Sequence, residues 1–303
     1  MCELQKKMDN TKVNTRASVN GNIRRVRITM QMTFIIPVVV LALLVLAAIF
    51  APLLSPYPPT KTSLPHRLLP PCFVTGGSTA HLLGTDLLGR DILSRVFYGA
   101  RISLSVSLIV IFITSSIGTI LGIIAGYLGG RADTLLMRVT DVSLAIPQIL
   151  IALLLAVVLG PSFKTVVLAI SILGWAPYAR LIRGEVLKLR EADFIAQARI
   201  IGSSSLRIMI KHIFPNVVNP LIVIATMSVG LVILMESALS YLGAGIPPPT
   251  PSWGSMVSDG RNLIEKAWWI SFFPGLAIGF VVLSGNFLGD WIRDKLDPRL
   301  RRL

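Results

Sequence analysis

The sequence predicts an all-α membrane protein with about six transmembrane helices, and three observations carry that prediction. Apolar stretches of roughly 20 residues, the length that crosses a hydrocarbon core of ~30 Å, recur along all 303 residues and leave no room for a soluble domain. Only 15% of residues are charged and mean hydropathy is +0.73, whereas soluble domains carry about a quarter charged residues. Finally, 21 of the 29 lysines and arginines fall on one set of alternating connections. That bias places the basic set, with both termini, in the cytoplasm. The net charge of +14 therefore reflects membrane orientation, and no nucleic-acid partner is expected, because a soluble basic face is missing.

Residues 1–32 form a polar, basic tail expected to be largely disordered or to lie on an anionic lipid surface. The apolar run 33–54 is longer than the core of a cleavable signal and is expected to stay as the first helix. Residues 55–101 form a proline-rich outer segment. Within it Thr85-Asp86 suggests a helix cap, and Asp86 with Arg90 and Asp91 with Arg95 are spaced to pair on one helical face. Two uses stay open for these four residues: a surface helix leading into the membrane, or an outer docking surface or gate. The core is expected over 102–290, with a cytoplasmic tail at 291–303.

The second helix runs from Ile102 to Tyr127. Gly118, Gly122, Gly126 and Gly130 recur every fourth residue, a bare stripe that lets another backbone approach in lipid, within this chain or on another subunit. A loop with Arg131, Asp133 and Arg138 leads to a third helix from Val139 to Leu159. Asp141 near its start is expected to pair with Arg138. The fourth helix ends near Ile182 with Pro177 as a possible kink, the fifth spans Phe214 to Met235, and the sixth Trp268 to Leu288. Asp141 and Glu236 are the acids near spans, and so candidates for a translocation pathway. Cys2 and Cys72 fall on opposite sides, and His66, His81 and His212 lie in separate loops without ligand spacing, so no metal site is expected.

The phosphate loop G-x-x-x-x-G-K-[ST] is missing, as are H-E-x-x-H and the G-x-S-x-G elbow. The chain is not expected to be an enzyme or to hydrolyse ATP. Intramembrane acids are too few for an obvious proton relay, which disfavours a gradient-driven secondary transporter.

The connection 184–213 is the most informative segment. Phe194 to Ile201 can form a short amphipathic helix, Gly202 is placed to end it in a left-handed conformation, and Ser203, Ser204 or Ser205 can cap a second helix from Leu206. Pro215 marks the turn into the fifth membrane helix. This helix–glycine–helix can rest on lipid headgroups or fit a socket on a cytoplasmic partner. Arg199 and Arg207 are either solvated or set against acidic rims of such a partner.

The stretch DFIAQARIIGSSSLRIMIKHIFPN (193–216) resembles the coupling loop of ABC-importer permeases, matching at Ala198, Gly202 and Pro215-Asn216. The acid of the family's motif is Ala196 here, and its first alanine is Gln197. HLLGTDLLGRDILSRVFYGARISL (81–104), PPTPSWG (248–254) and GDWIRDKLDPRLR (289–301) resemble the peptide/nickel branch, specifically dipeptide- and oligopeptide-type permeases with a large outer loop after the first helix. The resemblance covers about residues 33–301.

It implies type I importer architecture in a bacterial cytoplasmic membrane, with a second homologous permease, two ATPase subunits and an extracytoplasmic substrate-binding protein as partners. ATP and Mg would be bound by the ATPases, and this chain would carry no cofactor. Phe194, Ala196, Gln197, Ala198, Arg199, Gly202, Arg207 and Pro215 would couple ATP-driven motion to the helices. Di- or oligopeptides are the implied substrates; nickel chelates, glutathione-like compounds or other small solutes are the alternatives.

Overall fold

A computed structural model of the protein describes residues 35–296. The basic tail at 1–32, Cys2, and residues 297–303 lie outside the described residues. The expected first span is built from α1 (Ile35–Ile49) and α2 (Ala51–Leu54), separated by a turn at Phe50 with proline in the first turn of α2. Residues 55–91 are mostly irregular, with one 3-10 turn at Leu64–His66 and an isolated antiparallel bridge between Thr85 and Asp91.

The next helix, α3 (Ile92–Leu128), begins ten residues before the expected Ile102, and its cap is Asp91 rather than Thr85-Asp86. The loop expected before Val139 is instead helical: α4 (Gly130–Ala145) is followed by α5 (Gln148–Leu159) at a bend of 81°. Pro147 causes the break, because its ring pushes the preceding residue out of the helical region, and Ile146 is extended at φ −84, ψ 127.

Helices α6 (Phe163–Gly174) and α7 (Ala176–Arg190) run on as one apolar span. Pro177 sits in the first turn of α7, where a missing N–H costs no helical bond. The helix continues past Ile182 to Arg190, and Arg183 turns onto α4, donating to Asp133 through Nε and Nη2 at 2.5 and 2.6 Å.

Two short helices follow, α8 (Asp193–Ile200) and α9 (Ser205–Ile208), then a π-turn (Met209–Ile213) leading without interruption into α10 (Phe214–Tyr241). Pro215 therefore does not mark a turn. It lies in the first turn of α10, and the wide turn before it accommodates its missing donor, with Asn216 Nδ2 donating to His212 O at 2.6 Å. The chain closes with α11 (Trp253–Gly260), α12 (Ile264–Ala267) and α13 (Trp269–Leu296). Among the described residues, four helical runs are long and apolar enough to cross a membrane, or five if the bent α4–α5 pair is one span.

The glycine stripe fixes the central packing. Cβ atoms added at Gly118, Gly122 and Gly126 would lie 2.5 Å from Trp175 O, 2.7 Å from Ala179 O and 2.8 Å from Val186 Cβ. Residue numbers rise together on both helices, so α3 and α7 are parallel and nearly touch along their backbones. Gly130 stands outside the stripe, at φ +55 with nothing within 4 Å of its Cβ position. On the other side α13 runs antiparallel to α10, with Gly230 against Val282 and Gly289 against Met227. Leu108, Phe112, Val157 and Leu231 project outward, the surface a bilayer covers.

Candidate coupling surface and outer ion cluster

One end of the molecule carries α8 and α9. Ile195 and Ala198, three residues apart on one face, are buried in an apolar cluster with Ile123, Tyr127, Ile182, Val186, Ile208, Ile213 and Val217. This anchors α8 to the ends of α3, α7 and α10. Gly202, at φ +82, ends the helix. Its N–H donates to Arg199 O at 2.9 Å, and Ser203 N–H donates to Ala198 O at 3.0 Å, the paired bonds of a left-handed glycine cap. Ser204 then accepts from Arg207 N–H and starts α9.

The opposite face of this unit is bare. Ile200 and Ile201 are 85% and 82% exposed, the most exposed of a group of apolar side chains at this end of the molecule that includes Phe194 and Leu206. Ala196, Gln197, Gly202, Arg207 and Pro215 are also exposed, whereas Ala198 turns inward. The Arg199 guanidinium stacks over the Tyr127 ring, 5.3 Å from its centroid, so α3 helps hold it.

At the other end the residues 81–95 build an ion cluster. Asp86 accepts from Arg90 Nε at 2.6 Å and from Arg95 Nη1, while its second oxygen accepts the backbone N–H groups of Leu88 and Arg90, both at 2.9 Å. The expected Asp91–Arg95 pair does not form. Asp91 caps α3, accepting from Ser94 N–H and Oγ at 2.8 Å each and from His81 Nδ1 at 2.9 Å, and a carboxylate committed to a helix start cannot also reach one turn along. Arg95 and Arg90 instead reach across to Asp259 on α11, at 3.2 and 3.4 Å. His66 and His81, expected in separate loops, come together with ring centroids 6.1 Å apart.

Asp86 is nearly inaccessible, whereas the Asp259 side chain is 36% exposed. Asp86→Ala leaves two buried guanidinium groups without their main partner and is expected to cost about 3–5 kcal/mol. Asp259→Ala removes a partly solvated partner and should cost ~1 kcal/mol or less. Thermal unfolding of the two purified variants checks the contrast; equal losses would show that Asp86 is not the hub.

Glu236 on α10 is fully buried. Ser103 on α3 and Ser240 donate to it at 3.1 and 2.9 Å, and Ser103 Oγ also accepts from Trp253 N–H at 3.3 Å. It thereby joins α3 and α10 to the start of α11, where Trp253 is itself fully buried and donates to Val96 O at 3.0 Å. Asp141 is exposed and pairs with Arg180 on α7, not with Arg138, because the helix it belongs to packs alongside α7. Among the described residues no group of three or more His, Cys, Asp or Glu is placed to hold a metal ion.

Residues 118–302 match the family of binding-protein-dependent transport system inner membrane components. That span includes the glycine stripe, the α8–α9 unit and the buried α10–α13 packing. The chain belongs to this family.

This permease also matches, over residues 30–71, the N-terminal transmembrane domain of oligopeptide transport permease C. It is 43% identical to the di/tripeptide transport system permease protein DppC of Pseudomonas aeruginosa, over 86% of each chain. Identity is 40% with the dipeptide transport system permease protein DppC of Bacillus subtilis, over 87% of this chain and 81% of that one. With the probable D,D-dipeptide transport system permease protein DdpC of Escherichia coli it is 41%, over 86% of each. A chain of the MetNI methionine ABC transporter, solved in inward-facing conformations, shares the fold at 16% identity and TM-score 0.56, covering 67% of this chain and 97% of that one. The permease is a multi-pass membrane transport subunit rather than an enzyme.

Sequence reasoning missed four contributors. Ile200 and Ile201 belong to the recognised amphipathic segment, and their position beside the terminating glycine was the available signal for exposure. Asp259 and Ser103 join their clusters across 164 and 133 positions of chain, and no local pattern marks such partners.

Proposed function

We propose that this permease is one of two non-identical membrane subunits of an ATP-driven importer of di- and oligopeptides in a bacterial cytoplasmic membrane. The observation that carries the reading is the α8–α9 unit, a braced helix–glycine–helix that offers two bare isoleucines, Ile200 and Ile201, at one end of the molecule. An apolar knob of this kind needs a socket, and a chain without a phosphate loop needs a separate motor. The α8 end then faces the cytoplasm, as do both termini, and meets one of two ATPase subunits that bind ATP and Mg. Phe194, Ala196, Gln197, Ile200, Ile201 and Arg207 form the contact; Ala198, Arg199, Gly202 and Pro215 hold its shape.

ATP closes the ATPase pair and displaces the socket. Because Ile195 and Ala198 sit among residues of α3, α7 and α10, that displacement reaches the spans directly, and they alternate between inward and outward openings. The end bearing residues 55–91 and α11 receives substrate from an extracytoplasmic binding protein. Peptide as the substrate class rests on the relatives, whose names specify dipeptides and, in one, tripeptides. Asp141 with Arg180 is the pathway candidate, since both are exposed, while Glu236 serves to hold α11 to α3 and α10.

Gentle affinity purification of this chain from native membranes should bring down a second permease and ATPase subunits. Uptake of a labelled dipeptide should stop when ATP is depleted with the membrane potential maintained. Recovery of the chain alone, with uptake following the potential, would overturn the reading in favour of a secondary transporter.

A further inference from the structure

A groove of about 670 Å³ opens on the outside of the helical core, walled by α1, α3, α10 and α13. Its α3 wall is Leu104, Leu108 and Ile111, and its α1 wall includes Val45 and Ile49. The hydroxyls that border it are already engaged: Ser107 Oγ donates to Val229 O at 3.5 Å and Thr226 Oγ1 to Ile222 O at 2.8 Å. Apart from Ser105, what remains to meet a ligand is apolar surface and one cation at the rim, Arg101.

Arg101 is exposed, and no described residue pairs with it. Its depth is set by the sequence of α3, because residues 102–128 contain no charged side chain. Those 27 positions span about 40 Å of helix, which matches a bilayer with its headgroup regions, so Arg101 stands at headgroup level. From Arg101 to Ile111 the groove descends about 15 Å along α3, half the thickness of a ~30 Å hydrocarbon core. A planar guanidinium at that level suits a phosphate, which it can bind bidentately.

We propose that this groove is a phospholipid site, with the lipid phosphate on Arg101 and one acyl chain between α1 and α3 in the leaflet at the α11 end. Charge complementarity and depth favour this occupant. A peptide would find almost no hydrogen-bonding partner along the walls, and a neighbouring apolar helix would leave Arg101 unpaired.

The test is native mass spectrometry of the intact transporter assembly in mild detergent, titrated with phosphatidylglycerol and, separately, phosphatidylethanolamine. Lipid is counted only on assemblies of full subunit composition. The expected result is one phospholipid retained through delipidating washes by the unmodified protein and by Arg101→Lys, and at least tenfold less retained by Arg101→Gln. Leu108→Trp, which fills the groove, should lose the lipid as well. Equal retention by Arg101→Gln and the unmodified protein overturns the site. Two other results also overturn it: displacement of the lipid by a dipeptide, which would make the groove part of the substrate path, and loss of the second permease from Leu108→Trp with lipid retention unchanged in the remaining complete assemblies, which would make it a subunit seam.

Discussion

Gly202→Val is expected to abolish peptide uptake while leaving the chain in the membrane at normal abundance. Space is not the obstacle, because nothing lies within 4 Å of the Cβ position. The obstacle is the backbone: at φ +82 a β-branched residue is a genuine outlier, and holding it there costs of order 1–3 kcal/mol. The cheaper response is for the turn to rearrange. That breaks the paired bonds to Arg199 and Ala198 and moves Ile200 and Ile201 away from any socket shaped for them. Gly202→Asn supplies the control, since asparagine tolerates the left-handed region, and it should retain most uptake. Labelled-dipeptide uptake, normalised to membrane-inserted protein, reads both variants. Normal uptake by the valine variant would remove α8 from the coupling path.

Gly118→Leu should produce the larger structural failure. Its Cβ would stand 2.5 Å from Trp175 O and from Tyr178 Cβ, and 3.0 Å from Ala179 N. Two of these atoms are backbone and the third is bound directly to it, so no rotamer change relieves the clash and α3 must separate from α7. Overpacking costs about 1–3 kcal/mol where side chains can adjust, and here they cannot. The expected outcome is aggregated chain on size-exclusion chromatography after mild detergent extraction. Gly184→Leu on α7 is the matched control, because nothing lies within 4 Å of that Cβ position, and it should elute with the unmodified protein. Similar profiles for the two variants would mean that the stripe does not set the α3–α7 contact.

Much of this architecture is legible in the sequence. Apolar runs mark the long spans, four-residue glycine spacing marks the stripe, and Gly202 marks the end of α8. What was not legible has physical causes. Asp91 is equally well spaced to pair with Arg95 or to cap α3, and local spacing cannot rank a helix cap against an ion pair. Pro147 and Pro177 look alike as possible kinks. One falls between two helices and bends the chain by 81°, whereas the other falls in a first helical turn and bends nothing by itself. Arg183, beyond the expected end at Ile182, finds its partner Asp133 fifty positions away, and Glu236 is tied to the start of α11 through Ser103. Those outcomes are tertiary, and local pattern does not contain them.

The exposure of Ile200 and Ile201 also bears on how the protein is made. A subunit synthesised without its partners presents both side chains to water, next to a left-handed glycine turn, as a standing adhesive spot. Cells expressing this chain in excess should therefore accumulate it as self-associated or proteolysed material, and balanced synthesis of all subunits should restore its lifetime. On the proposed function, the surface that meets the ATPase in the finished machine doubles, in the unfinished one, as the mark of an orphan.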